Sequence, residues 1–154
     1  MSDECDRREF LHAGGCAALM LATAGLSPAG AVAWIAGAQA DGARRDPMPA
    51  VDGVSVDRDA QVILVRVQNE VVALALACPH QNAAVKWLAS DHRFQCTRHD
   101  SKYQPDGTYT SGRATRNLDR FPIRKDGGSV LVDITRVYQS DKDPAGWRAA
   151  FVTP

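Results

Sequence analysis

The segment CPHQNAAVKWLASDHRFQCTRHDSKY, residues 78–103, holds two of the chain's four cysteines and three of its four histidines. Cys78 and His80 form a C-x-H pair, and Cys96 and His99 form a C-x-x-H pair after fifteen intervening residues. Thiolate sulfur and imidazole nitrogen are ligands that zinc and iron–sulfur centres accept. The two arms are therefore candidate metal ligands, and three interpretations stay open here: a zinc ion, an iron–sulfur cluster, or no metal at all.

The chain after Ala40 reads as a series of short strands separated by turns. The apolar runs 61–67 and 71–77 flank a three-residue turn and predict a hairpin, and residues 120–134 predict a second hairpin. The stretch RFQC at 93–96 is another strand, so that each arm follows a strand. No stretch after Ala40 shows helical periodicity. This pattern predicts an all-β fold, a small antiparallel sandwich or barrel.

Length, composition and charge narrow the class of protein. The chain has 154 residues and a formal net charge of zero, which predicts one domain of ordinary size and argues against general nucleic-acid binding. The charge is unevenly placed, because residues 93–125 hold eight Lys or Arg residues against three Asp residues. This basic region predicts either a solvated charged face or a docking surface for an acidic partner.

Residues 1–40 have the pattern of an export segment or a membrane anchor. The motif DRREFL at 6–11 contains a paired arginine, and residues 13–40 carry no charged side chain. The run ends in Ala-Gln-Ala at 38–40, the small-x-small form of a signal-peptidase site. The pattern resembles a twin-arginine signal and is also long enough to span a bilayer. We expect a protein in the periplasm or on the periplasmic face of the inner membrane, with cleavage and retention both open.

The positions of the four cysteines favour metal binding over a disulfide. Cys5 and Cys16 lie in the N-terminal segment and have no predicted role, which leaves Cys78 and Cys96. In an oxidising compartment two cysteines alone would suggest a disulfide, but their histidine neighbours favour metal ligation. A zinc ion would accept this ligand set, although zinc sites more often use C-x-x-C pairs.

The two arms resemble those of the Rieske iron–sulfur proteins, and the resemblance covers roughly residues 45–135. It implies a Rieske-type 2Fe–2S cluster in which Cys78 and Cys96 hold one iron while His80 and His99 hold the other. Two neutral imidazoles leave the oxidised site without net charge, so an added electron is accommodated more easily than in a four-thiolate cluster. The resemblance also implies an electron carrier with no substrate chemistry of its own.

Two further residues follow the second arm in the pattern H-x-S-x-Y. In the Rieske subunits of quinol-oxidising cytochrome bc complexes, which this pattern resembles, the serine hydroxyl bonds a cluster sulfide and the tyrosine bonds a cysteine sulfur. The resemblance implies these roles for Ser101 and Tyr103, and both bonds would raise the reduction potential. A turn serine and a core tyrosine are the plainer alternative.

Three features depart from the quinol-oxidising type. That type has an extra cysteine in each arm, and Ala83 and Arg98 stand at those positions. Asp100 replaces the usual glycine, and a third loop, commonly Gly-Pro-Ala-Pro, reads Gly-Arg-Ala-Thr at 112–115. These departures weaken a specific assignment to quinol oxidation. The small exported Rieske subunit of arsenite oxidase is a comparable match.

The predicted organisation is a signal or anchor at 1–40, a Rieske domain at 41–135 and a C-terminal tail at 136–154. The tail's aromatic residues are expected to pack back on the domain, with docking on a partner subunit as the alternative. The predicted function is one-electron transfer as the small subunit of an exported or membrane-associated oxidoreductase complex, beside a catalytic or cytochrome subunit. The alternatives are a ferredoxin component of a Rieske-type oxygenase and a zinc-stabilised binding module.

Overall fold

The computed structural model describes residues 42–154, so the predictions for residues 1–40, including Cys5 and Cys16, lie outside the described residues. Within this part the chain forms ten strands, all paired antiparallel, and one short α-helix. The predicted all-β antiparallel fold is therefore confirmed. The elements are β1 (Ala43–Pro47), β2 (Gly53–Asp57), β3 (Val62–Val67), β4 (Glu70–Ala75), β5 (Val85–Leu88), a 3₁₀ turn (Ala89–Asp91), β6 (Arg93–Cys96), β7 (Lys102–Tyr103), β8 (Tyr109–Ser111), β9 (Ile123–Asp126), β10 (Ser129–Asp133) and α1 (Pro144–Ala149).

The strands form three small sheets. Their orders are β1-β10-β9, β2-β3-β4 and β5-β6-β7-β8. The last of these carries the second arm, because Cys96 is the final residue of β6 and pairs with Val85 of β5. Within residues 42–154, no helix combines the length and the apolar composition that crossing a membrane requires.

The β3–β4 hairpin separates two hydrophobic cores because both of its faces are buried. Successive side chains of a strand point to opposite faces, so each strand contributes to both cores. We name them the ligand-side core and the far core. The ligand-side core consists of Ile63, Val65, Val72, Leu74, Leu76, Cys78, Val85, Phe94, Cys96, Tyr103, Ala114 and Leu118. The far core consists of Val62, Leu64, Val71, Ala73, Phe121, Val130 and Val132.

Both predicted hairpins are present, with one difference in turn length. The β3–β4 turn contains two residues, Gln68 and Asn69, because Glu70 already pairs with Val67. Their φ angles of 50° and 67° are left-handed, as a two-residue hairpin turn of type I′ requires. The predicted three-residue turn is therefore wrong by one residue. The second hairpin is β9–β10, as expected.

The prediction that no helix follows Ala40 is wrong for α1. This helix has Pro144 at its start, and the Asp143 side chain accepts a hydrogen bond from the Gly146 N–H at 2.8 Å. Both features are typical of a helix N-terminus. Six residues are fewer than two helical turns, so the segment is too short to show an amphipathic period.

The tail packs on the described domain through backbone pairing and one buried aromatic ring. Val152 pairs with Val71, and Tyr138 pairs with Arg120. The Trp147 ring is buried, and the Arg120 guanidinium carbon lies 3.8 Å from its centroid. Burial lowers the pKa of Arg120, and the negative charge of the nearby Asp106 carboxylate partly offsets this decrease. Phe151, the third aromatic residue of the tail, remains exposed.

Candidate metal centre

The two arms lie in neighbouring loops that are tied together by hydrogen bonds. The Thr97 N–H and hydroxyl donate to the Ala84 carbonyl at 3.0 and 2.8 Å, which joins the second loop to the first. Within the first loop, the Cys78 N–H donates to the Ala83 carbonyl at 2.8 Å. These bonds hold the arms side by side, although Ala83 and Arg98 stand where the quinol-oxidising relatives have a disulfide.

Both cysteine thiols are buried and free. Cys78 is 0% and Cys96 2% exposed, and the Cys78 sulfur lies 3.1 Å from the Tyr103 hydroxyl oxygen. Burial raises the pKa of the Tyr103 hydroxyl, and its hydrogen bond to Cys78 raises it further. The hydroxyl therefore keeps its proton, and a thiolate at Cys78 can only accept a hydrogen bond. Tyr103 would therefore donate to the Cys78 sulfur when that sulfur is a metal-bound thiolate.

The two histidine rings meet edge to face. The His80 and His99 centroids are 4.6 Å apart and the ring planes are 89° apart. In each ring the Nδ1 atom is buried and has no hydrogen-bond partner among the described residues. A buried polar atom left unpaired costs about 1–3 kcal/mol, whereas a neutral imidazole nitrogen is a common metal ligand.

Electrostatics keep His99 in the form that a metal needs. Burial lowers the pKa of His99 most, followed by the neighbouring charges of His80, Arg113 and Arg98. The neutral imidazole is therefore favoured, and a ligating histidine must be neutral. The electrostatic environment thus fits a metal ligand.

The donor set fits a binuclear cluster. Two buried thiols and two imidazole nitrogens without a partner among the described residues match the donor types that a mixed-ligand 2Fe–2S centre uses. Between residues 42 and 154, no three His, Cys, Asp or Glu side chains gather as a single-ion site. A binuclear cluster does not require such a gathering, since each iron takes only two protein ligands.

Ser101, two residues after His99, is fully buried. Its hydroxyl oxygen accepts hydrogen bonds from the backbone N–H groups of Arg113 at 3.1 Å and Ala114 at 2.9 Å. A hydroxyl has two acceptor lone pairs and one donor hydrogen. The hydrogen of Ser101 is therefore free to donate, either to the neighbouring Tyr103 hydroxyl or to a group held by the arms.

The loop at 112–114 is part of the site, and residue chemistry alone does not show its role. Gly112 has a φ of 110°, and a β-carbon there would lie only 2.4 Å from the Ser101 Cα. The Tyr109 hydroxyl donates to the Gly112 carbonyl at 2.8 Å and holds the loop in place. In the sequence, Gly112 was the available sign of this close contact, because a backbone that approaches another closely at positive φ requires glycine.

Positive charge surrounds the surface at His80 and His99, which we call the histidine edge. Arg98 and Arg113 are exposed, and within the described part of the chain neither forms a salt bridge. The nearby Lys102 ammonium lies 3.6 Å from the Asp100 carboxylate. His92 stands apart from this cluster of charges and faces Trp87, with ring centroids 6.3 Å apart.

These features define a site for a mixed-ligand iron–sulfur centre. The family model of the Rieske [2Fe-2S] domain matches residues 39–122, which is more than half of the chain. The chain therefore belongs to the Rieske family, whose domain implies a [2Fe-2S] cluster. The Rieske domain makes this chain an electron-transfer protein.

Two solved structures are similar to this chain. The cyanobacterial plasma membrane Rieske protein PetC3 from Synechocystis PCC 6803 is 22% identical, with a TM-score of 0.43 over 51% of this chain and 82% of that chain. The ferredoxin of carbazole 1,9a-dioxygenase from Nocardioides aromaticivorans IC177 is 21% identical, with a TM-score of 0.38 over 56% of this chain and 86% of that chain. No curated protein matches the sequence.

Proposed function

We propose that this chain is the exported, high-potential electron-transfer subunit of a larger oxidoreductase complex. Cys78, Cys96, His80 and His99 would hold the cluster. When bound, the cluster takes up and releases one electron. The observation that carries the proposal is that the His80 and His99 Nδ1 atoms are buried without a hydrogen-bond partner among the described residues, and that both cysteine thiols are buried and free.

The high-potential assignment rests on Ser101 and Tyr103. Reduction adds negative charge to the site, and hydrogen bonds from either hydroxyl would favour the reduced form. The Tyr103 hydroxyl is 3.1 Å from the Cys78 sulfur, and the Ser101 hydrogen is free to donate. The low-potential ferredoxins of aromatic-ring oxygenases, which the resemblance leaves as the second candidate, tend to have glycine and phenylalanine at these two positions.

A redox titration followed by EPR spectroscopy tests this proposal. We expect a 2Fe–2S spectrum with the low average g-value of mixed ligands, and a potential in the upper part of the family range of about −150 to +300 mV. A potential near the lower end would favour the oxygenase ferredoxin. A colourless protein with one bound zinc ion would contradict the electron-carrier function.

We propose that residues 1–40 export the chain, that residues 41–135 form the Rieske domain and that residues 136–154 complete it as a tail. Support comes from the paired arginine and the uncharged run at 13–40. In a bacterium with the twin-arginine pathway, the wild-type protein should reach the periplasm or membrane. The variant Arg7→Lys/Arg8→Lys should stay in the cytoplasm. An unchanged location would contradict export by the twin-arginine route and would leave the Rieske assignment unaffected.

We also propose that the electron-transfer partner docks with an acidic surface at the histidine edge. Arg98 and Arg113 are exposed there, and both lower the pKa of His99. Uncompensated charge of one sign steers partners of the opposite sign and weakens with salt. An acidic cytochrome or catalytic subunit would therefore be attracted to the surface around the two histidines.

Oxidation of the reduced protein by small charged oxidants tests the docking surface. We expect oxidation by the anion ferricyanide to slow as ionic strength rises, and oxidation by the cation cobalt(III) tris(phenanthroline) to accelerate. The variant Arg98→Ser/Arg113→Ser should lose most of both salt dependences. Arg124→Ser/Lys125→Ser, on β9 in another sheet, removes the same net charge and should retain them. If the oxidation rates of the two variants depended equally on ionic strength, the net charge of the protein would be the cause, and not the position of Arg98 and Arg113.

A further inference from the structure

The Ser101 hydroxyl is held by backbone groups rather than by side chains. Its oxygen accepts from the Arg113 N–H and the Ala114 N–H, at 3.1 and 2.9 Å. Ser101 is fully buried, and Ala114 belongs to the ligand-side core with 4% exposure. Both acceptor positions of the hydroxyl are thereby occupied inside the protein.

We propose that the backbone N–H groups of Arg113 and Ala114 position the Ser101 hydroxyl and thereby raise the cluster potential. With both lone pairs engaged, the hydroxyl can only donate. Hydrogen bonds that a hydroxyl accepts polarise it and strengthen the bond that it donates. This inference rests on the proposed ligand set, and it assigns potential tuning to a loop whose side chains need not reach the cluster.

The loop is fixed firmly enough to act in this way. A β-carbon on Gly112 would lie 2.4 Å from the Ser101 Cα and 2.9 Å from the Asp100 carbonyl oxygen, so the two backbones are in direct contact. The Tyr109 hydroxyl donates to the Gly112 carbonyl, and the Tyr109 N–H donates to the Asn117 side chain at 2.9 Å. The loop that carries the two N–H donors is therefore held against Ser101 by the close contact of Gly112 and by the two hydrogen bonds of Tyr109.

Arg113 offers a way to separate its backbone from its charge. Its guanidinium is exposed near His99, and a positive charge there also favours the reduced site. Arg113→Ala removes the charge and keeps the N–H, whereas Arg113→Pro removes both, since proline has no N–H. The difference between these two variants isolates the hydrogen bond.

The test is the reduction potential of both variants, measured with and without Ser101→Ala. We expect Arg113→Pro to lie below Arg113→Ala, by less than the whole loss caused by Ser101→Ala. That gap should persist at high salt, whereas the difference between Arg113→Ala and wild type should shrink. In the Ser101→Ala background the two Arg113 variants should have equal potentials. A gap that survives in that background, or no gap with Ser101 present, would overturn the proposal.

Two further measurements decide the matter if Arg113→Pro does not fold. Gly112→Ala must push the loop away from Ser101, so its potential should also fall, and the fall should vanish in the Ser101→Ala background. Hydrogen exchange across residues 112–116 should be faster in Ser101→Ala than in wild type. Unchanged exchange would mean that these N–H groups do not depend on Ser101. An EPR spectrum without the mixed-ligand signal would instead contradict the ligand set itself.

Discussion

The two faces of the β3–β4 hairpin bury similar side chains in different surroundings. On one face, Leu64 and its neighbours pack against Phe121, Val130 and other hydrocarbon groups of the far core. On the other face, Leu74 and its neighbours share the ligand-side core with two thiols and the Tyr103 hydroxyl. The far core consists entirely of apolar side chains, whereas the ligand-side core includes polar atoms at its edge.

The difference shows how stability and redox function are divided within one small fold. Apolar burial stabilises the far core by itself. In the ligand-side region the His80 and His99 Nδ1 atoms have no partner among the described residues, and a bound cluster would satisfy both. We therefore expect changes on the far face to alter stability alone, and changes on the ligand side to alter stability, cluster retention and potential together.

Removal of a ligand should have the largest effect. Cys78→Ala or His99→Ala takes one ligand from a four-ligand site, and we expect loss of the 2Fe–2S visible and EPR spectra. Unfolding should also occur at lower temperature, because a ligand bound to the folded state stabilises it. His92→Ala is the matched control, and it should keep the full spectrum. A cluster retained in either ligand variant would show that the assignment is wrong at that position.

Two leucine substitutions compare the cores directly. Leu64→Ala and Leu74→Ala remove the same atoms from opposite faces, and each should lower the free energy of unfolding by about 2–5 kcal/mol. Leu74 is fully buried and Leu64 is 9% exposed, so Leu74→Ala should lie higher in that range. Denaturant unfolding measures the loss, and chelator challenge measures cluster retention. Only Leu74→Ala should release its cluster faster than wild type, and equal release rates would remove the distinction.

Removal of the hydroxyl groups should lower the potential, and Ser101→Ala should also lower stability, because it leaves the Arg113 and Ala114 N–H groups without their acceptor. A hydrogen bond to a charged acceptor contributes about 1.5–3 kcal/mol, and about 59 mV corresponds to roughly 1.4 kcal/mol for one electron. Ser101→Ala and Tyr103→Phe should each lower the potential by about 60–130 mV, nearly additively if the bonds reach different sulfurs. Protein-film voltammetry measures the change, with Leu64→Ala as the control. Unchanged potentials would show that neither hydroxyl reaches a sulfur.

The smallest effect is expected from an acid on the sheet that borders the far core. The Thr135 hydroxyl lowers the pKa of Asp133 most, followed by the Thr135 N–H. Because the folded-state pKa lies below the unfolded one, the stabilisation is complete above about pH 4 and is lost as pH falls through the folded value. Asp133→Asn should therefore unfold more easily at pH 6, by less than about 1 kcal/mol.

Denaturation at a series of pH values checks this expectation. The difference between wild type and Asp133→Asn should close as pH falls below 4, and the potential should be the same in both proteins. A difference that persists at low pH would mean that the carboxylate charge is not the cause.

Local sequence patterns predicted the parts of the fold whose partners are near in the chain. The β3–β4 hairpin was predictable because two apolar runs flank a turn, and the β9–β10 hairpin because Asp-Gly-Gly at 126–128 is a turn sequence. Strand β1, with the sequence ARRDP, was not predicted, because its partner β10 lies at the other end of the domain and its residues are mostly charged. Arg44 of β1 also forms an ion pair with Asp57 of β2, and nothing local in the sequence indicates this contact.

The covalent sequence alone specifies which candidate ligands are available, and it carries the motifs of the family to which the chain belongs. Ligand chemistry and spacing are properties of the covalent chain, so Cys78, His80, Cys96 and His99 were readable before any fold. Their roles stay a prediction until the cluster is measured. The folded structure was needed to show how the loop at 112–114 meets Ser101. Gly112 indicates a close approach of the backbone, but the hydrogen bonds are made by backbone N–H groups, which almost every residue carries, so residue type does not identify Ser101 as their acceptor.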